Sequence, residues 1–258
     1  MSKAITKLND LSLGIVGSRK YTNYGAKVAY NFSKALAENG LVIVSGLALG
    51  IDAIAHRAAL VSNGRTIGVL GCGLDAIYPV SNHRLGEEML ASGGAIVSEF
   101  PLGTPPLKQN FPMRNRIIAG LSLGTLVVEA TLDSGSLITA GLALEYNREV
   151  FAIPGNIDSE NSSGTNRIIK EGAIPATCPE DILMALNIEV RRGEEKAKEF
   201  LPETAEERQI FEVLKSGDKT GDELVAATRI NVVKLNTILT VMEMKGYIGN
   251  SGGRYQLK

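Results

Sequence analysis

Residues 13–59 read LGIVGSRKYTNYGAKVAYNFSKALAENGLVIVSGLALGIDAIAHRAA, and this stretch decides the fold. Leu13 to Val16 is an apolar run of strand length that enters Gly17-Ser18-Arg19. Thr22 then caps a helix carrying Val28, Phe32 and Leu36 at helical spacing. Gly40 closes that helix, Leu41 to Val44 is a second apolar run, and Ser45 to Asp52 leads through small residues into a helix with Ala55 and Ala59. Runs without polar alternation suit strands buried on both faces. Thr66 to Leu70, Ala95 to Ser98, Gly124 to Val128 and Glu149 to Ile153 continue the series, with helical segments between them. Strands alternating with crossover helices predict an α/β domain with a mainly parallel sheet.

The chain of 258 residues is 44% hydrophobic, enough for one large core and a small appendage, and two domains are expected. A formal net charge of -1 excludes a protein that coats nucleic acid by bulk charge, so such binding must come from a local patch. Two isolated cysteines, Cys72 and Cys178, fit a reducing compartment better than a disulfide framework. The start lacks a signal peptide's apolar run and no stretch approaches 18 apolar residues, so a cytoplasmic protein without a membrane segment is expected.

That patch falls at residues 107–122, LKQNFPMRNRIIAGLS. Lys108, Arg114 and Arg116 stand in a span from Glu99 to Glu129 that contains no other acid, with Pro112 in the first turn of a short helix. A helix start offers N–H groups to an anion, Arg a fork for phosphate oxygens, and Phe111 a flat face for a base. The alternative is a solvated turn with a buried Phe. Gly17, Ser18 and Arg19 repeat the chemistry at the carboxyl end of a strand, where open α/β sheets bind ligands. A later Gly164-Thr165-Asn166 precedes Arg167 and Lys170, which would join Arg19 and Lys108 if that helix folds to the same sheet edge.

Other motifs carry less. Gly71-Cys72-Gly73-Leu74-Asp75-Ala76 matches a dinucleotide fingerprint by letter, with Glu99 as a possible ribose acid, but Tyr78-Pro79 interrupts where the helix should run. Asp52 and His56 are four apart without a third metal ligand, so no metal or cofactor is expected, and Asp52 reads as a cap or a partner for a cation. Ser134 and Ser136 have no base, since His56 and His83 are the only histidines, and read as caps. After Ile188 a charged, core-poor run gives a linker at 188–203, dividing a domain over 1–187 from one over 204–258. Three amphipathic helices and a hairpin in the latter resemble a winged helix.

The ordered set GSR, SGLALGID, GCGLDAIYP, NFPMRNRIIAGLS, VVEATLDSGSLITAGLALEYNREVFAIPG and GTNRIIKEGA is similar to the DNA-processing protein A (DprA, or Smf) family over about Leu13 to Ile182. The resemblance implies an extended Rossmann-like domain that binds single-stranded DNA and helps load the RecA recombinase, in natural transformation or related recombination, without catalysis. It implies DNA contacts at Gly17, Ser18, Arg19, Gly103, Lys108, Phe111, Arg114, Asn115, Arg116 and Lys170, a homodimer, and a C-terminal winged-helix-like module. Many members carry an N-terminal helical domain of the sterile-alpha-motif type; only about twelve residues precede the first strand here, so that accessory role is expected to be absent.

Two rivals remain. Gly124-Thr125-Leu126-Val127-Val128-Glu129 resembles the Gly-Thr…Glu segment of Rossmann-type nucleotide phosphoribohydrolases, with Glu129 as a catalytic carboxylate, although Leu121-Ser122-Leu123 replaces that family's double glycine. The third reading is a scaffold whose C-terminal module recruits partners.

Overall fold

The computed structural model describes residues 11–189, 204–245 and 247–257, in two compact units, Met1–Arg191 and Arg192–Lys258. Beyond Glu189, the expected linker lies outside the described residues.

The first unit is a seven-stranded sheet, parallel throughout. Its strands are β1 (Ser12–Val16), β2 (Val42–Ser45), β3 (Thr66–Val69), β4 (Ala95–Val97), β5 (Gly124–Val127), β6 (Glu149–Ala152) and a two-residue β7 (Ile174–Pro175), in the order β4-β3-β2-β1-β5-β6-β7. Helices α1 (Asn23–Glu38), α2 (Ile51–Val61) and α3 (His83–Ala91) carry the chain outward from β1 to β4. Then α4 (Asn110–Leu121) returns it across the sheet to β5, and α5 (Gly135–Glu145), α6 (Glu160–Lys170) and α7 (Pro179–Ala185) build the other half. The order therefore reverses between β1 and β5, and the crevice beyond their carboxyl ends is where such sheets bind ligands.

The two-residue period of the strands sorts their side chains into two layers. Leu13, Ile15, Ile43, Leu126, Val128, Phe151 and Ile153 pack with Phe32 and Leu36 of α1, Ile51 and Ala55 of α2, and Ile182 and Leu183 of α7. Their neighbours Val16, Val42, Val44, Val127, Val150 and Ala152 face the other way, against Ile118 of α4, Ala140 and Ala143 of α5, and Ile168 of α6. Fully burying one such aliphatic or aromatic side chain stabilises the fold by roughly 1.5–3 kcal/mol, which fixes the register of every strand.

The second unit has its own core of Ile210, Leu214, Leu224, Leu235, Leu239, Met242 and Ile248. Helices α8 (Ala205–Leu214), α9 (Gly221–Thr228) and α10 (Val232–Met244) pack with strands β8 (Lys219–Thr220), β9 (Ile248–Ser251) and β10 (Arg254–Leu257), paired antiparallel in the order β8-β10-β9. Reciprocal caps, Thr204 with Glu207 and Thr220 with Glu223, start two of the helices. No single helix among the described residues is long and apolar enough to cross a membrane.

Candidate nucleic-acid interface

A cleft of about 940 Å³ opens where the strand order reverses. One wall carries Gly17, Ser18, Arg19 and Lys20 after β1, together with Tyr78, Pro106, Lys108 and Phe111; the other carries Thr131, Ser134, Ser136 and Asn161 from the loops and helix starts after β5 and β6.

The loop after β1 is held at both ends. Gly50 has φ +85, a conformation available to glycine, and a Cβ there would lie 2.3 Å from the Ser18 carbonyl oxygen, so the start of α2 abuts the loop directly. Ile51 N–H donates to that same carbonyl at 3.2 Å. At the far end, Glu129 accepts from the Thr22 backbone N–H at 2.9 Å and from its hydroxyl, while the Thr22 hydroxyl accepts from Gly25 N–H at 3.1 Å and caps α1. Arg19 and Lys20 stand exposed between these anchors.

Phe111 is half-buried and rests on the backbone of Gly71, where a Cβ would come 3.0 Å from its ring. The Tyr78 ring lies against it, centroids 5.8 Å apart and tilted by 39°, and the Arg19 guanidinium sits 5.7 Å from the Phe111 centroid. Buried Asn110 fixes the start of α4 by donating to Gly71 O at 3.0 Å. Lys108, just ahead of it, is exposed. A flat ring pair bordered by Arg19 and Lys108 can take a base on its face and phosphates on its rim.

Seven of the ten residues named from sequence line this cleft: Gly17, Ser18, Arg19, Lys108, Phe111, Arg114 and Asn115. Arg114, however, is no free fork. It is 3% exposed, donates to the carbonyls of Gly46 (2.8 Å) and Val69, and thereby ties the ends of β2 and β3 beneath Phe111. Burial lowers its pKa to about 10, opposed by Asp52, and the same burial raises the Asp52 pKa, with Arg114 and the N–H groups of Gly46 and Ala48 pulling it back down. Asn115 accepts from Arg114 Nε at 3.2 Å and donates to Gly135 O at 3.3 Å, bridging α4 to α5.

The other three stand outside the cleft lining. Arg116 is paired with Glu99. Gly103 donates its N–H to Asp75 at 2.7 Å, leaving it nothing for a phosphate. Lys170 ends α6 while Glu160 and Asn161 at its start reach the cleft; eleven residues of helix place Lys170 about 15 Å from that end. In a parallel sheet each crossover helix starts at the carboxyl edge of the strands and ends at the opposite one.

Sequence reading missed Tyr78, Lys20 and Asn110. The Tyr78-Pro79 pair marks a helix break, and the break itself brings the ring to the cleft: after Gly71-Cys72-Gly73 the chain turns without helix until a short 3-10 turn at Val80–Asn82. His56 donates from Nδ1 to Thr66 Oγ1 at 2.6 Å, because the Thr66 proton is given to Ile43 O, and Asp52 accepts from Gly46 and Ala48; among the described residues no third metal ligand joins the two. Ser134 caps α5 through Ser136 N–H.

The fold and cleft together define a doubly wound, Rossmann-like α/β protein with a cationic, aromatic site at its topological switch point. Residues 3–187 match the model of the DNA recombination-mediator protein A family, and the chain belongs to that family. It is 55% identical over 176 residues to protein Smf of Escherichia coli, covering 68% of this chain and 47% of that one. Among solved structures, DNA processing protein A (DprA) from Streptococcus pneumoniae superposes with a TM-score of 0.64 at 48% identity, covering 69% of this chain and 62% of that one. DNA processing protein A from Helicobacter pylori, a protein described for its single-stranded DNA binding mode, also gives 0.64, at 36% identity over 71% of this chain and 84% of that one. The chain spans about half the length of the Escherichia coli relative.

Proposed function

We propose that this protein is a non-catalytic recombination mediator that binds single-stranded DNA in the switch-point cleft and helps load a RecA-type recombinase on it, in natural transformation or a related recombination task. The observation that carries the reading is the Tyr78–Phe111 ring pair bordered by exposed Arg19 and Lys108. Rings that stack any base and cations that hold any phosphate favour a flexible single strand and tolerate its sequence. Membership of the recombination-mediator family supports the same reading. A cytoplasmic homodimer is part of the proposal, as is a winged-helix-like role for residues 204–258.

The nucleotide-hydrolase reading needs an open carboxylate. Glu129 is 1% exposed and both its oxygens are engaged by Thr22, which supports a structural role at the N-terminus of α1. Release of free base from a nucleoside monophosphate by the purified protein would reinstate that alternative.

The test is an anisotropy titration of labelled oligo-dT at two salt concentrations, with equal-length duplex as competitor, for wild type, Arg19→Ala and Phe111→Ala. Salt-sensitive binding of the single strand that both substitutions weaken is the expected result, followed by recombinase loading on protein-coated single strands. Binding indifferent to both substitutions would overturn the assignment of the cleft. Arg19 serves this test better than Arg114 because its head group is in solvent and its loss breaks no buried bond.

A further inference from the structure

We propose that the outer face of α1 is a second contact surface for single-stranded DNA, continuous with the cleft through Arg19 and Lys20; the inference rests on the single-strand reading of the cleft. Between Asp10 and Glu38 the chain holds Arg19, Lys20, Lys27 and Lys34 and no acidic residue. Over the same span it exposes three tyrosines, Tyr21 (46%), Tyr24 (49%) and Tyr30 (37%). At 3.6 residues per turn, Tyr24, Lys27, Tyr30 and Lys34 share a stripe about 120° wide, opposite the buried Ala29, Phe32 and Leu36.

A single exposed tyrosine is ordinary surface. Here aromatic and cationic side chains alternate along one stripe, Tyr21 follows two residues after Arg19, and the Tyr24 hydroxyl donates to Pro154 O at 2.8 Å, pinning that ring to the loop that follows β6. Among the described residues Lys20 and Lys27 have no carboxylate partner, and Lys34 meets Glu38 only at 3.7 Å with both side chains solvated. The stripe ends at Glu38, the first acid. Free cations set between π faces fit a polyanion with bases to stack. Positive charge and adjacency to the cleft select a nucleic acid strand leaving the pocket over an apolar protein partner.

The whole protein is titrated with labelled dT6, chosen to reach little beyond the cleft, and with dT20, long enough to overhang it, for wild type, Arg19→Ala and the double variant Lys27→Ala/Tyr30→Ala. The double variant is expected to bind dT6 within twofold of wild type and dT20 about tenfold or more weakly, with a salt slope shallower by about 0.7 for the lost lysine contact. Iodouracil placed beyond the first six nucleotides of dT20 is expected to photo-cross-link to Tyr24 or Tyr30. Unchanged dT20 affinity in the double variant, or cross-links confined to cleft residues, would overturn the proposal while leaving the cleft intact. Failure of Arg19→Ala to weaken dT6 would instead sink the cleft reading. Binding of an oligoglutamate peptide that the double variant loses, with dT20 binding unchanged, would reassign the stripe to an acidic protein partner.

Discussion

Arg19 and Arg114 both border Phe111, at 5.7 and 5.9 Å from its centroid, yet one is in solvent and the other is buried. Their substitutions should therefore separate cleanly. Arg19→Ala is expected to leave thermal unfolding unchanged and to flatten the log–log salt dependence of oligo-dT binding by about 0.7, one phosphate's share for a single strand. Arg114→Ala strips buried carbonyls at Gly46 and Val69 of their donor, each at a cost of roughly 1–3 kcal/mol, so it should lower the unfolding temperature before any question of affinity arises. Phe111→Ala should weaken oligo-dT about tenfold or more, since a stacked base is worth roughly 1–3 kcal/mol. Sequence shows that residues 107–122 are rich in cations; it does not show whose oxygens those cations meet. Arg114 meets the carbonyls of Gly46 and Val69, 68 and 45 residues away, and Arg116 meets Glu99, 17 residues away. Tyr78 went unread for the complementary reason, because a ring reaches a site by a turn whose direction no local pattern encodes.

At the scale of elements, α2 and β3 are joined through His56, buried and uncharged, with its pKa lowered to about 3 by burial and by the Arg114 charge. In the unfolded chain this imidazole regains its ordinary value near 6.5, so below that pH the unfolded state binds the extra proton and the native state does not. Stability from this group is whole above pH 6.5 and is lost as pH falls toward the native value, at about 1.4 kcal/mol per pH unit. Denaturant titrations at pH 7 and pH 5 should show the loss, and His56→Gln should show less of it. The first six strands of the parallel sheet were legible because each is mostly apolar and bounded by loop residues, and α1 because Thr22 and Gly40 bracket it. Strands β7 and β8, two residues each, carry no periodic signal and exist only through their neighbours. Lys170 marks the boundary between these cases: its helix was readable, and the polarity of a parallel crossover already dictates that a last-turn residue ends far from the crevice.

For the whole molecule, the two units differ in how their charge is used. In the second, Lys215, Lys234, Lys245 and Arg254 are each within 4 Å of a glutamate, and the exposed start of α10 presents Val232 and Val233. A protein cut after residue 189 should thus keep its oligo-dT affinity within about twofold and its salt slope nearly unchanged, since phosphate contacts set that slope. A large fall on truncation would place part of the DNA surface on residues 204–258. Apolar runs give way to charged sequence near residue 188, and the near-neutral balance of residues 204–258 is itself a matter of sequence, whereas the pairing of these four cations is seen only in the structure. The anchoring of the loop after β1 has a kinetic corollary. Because Gly50, Ile51 and Glu129 fix both its ends, Arg19 is presented without a search through loop conformers, and an incoming strand pays little ordering entropy there. Thr22→Val, which removes a hydroxyl engaged by Glu129 and by the Gly25 N–H, should then leave the encounter rate near wild type and shorten the residence time of the complex, a difference stopped-flow measurement of association and dissociation would resolve.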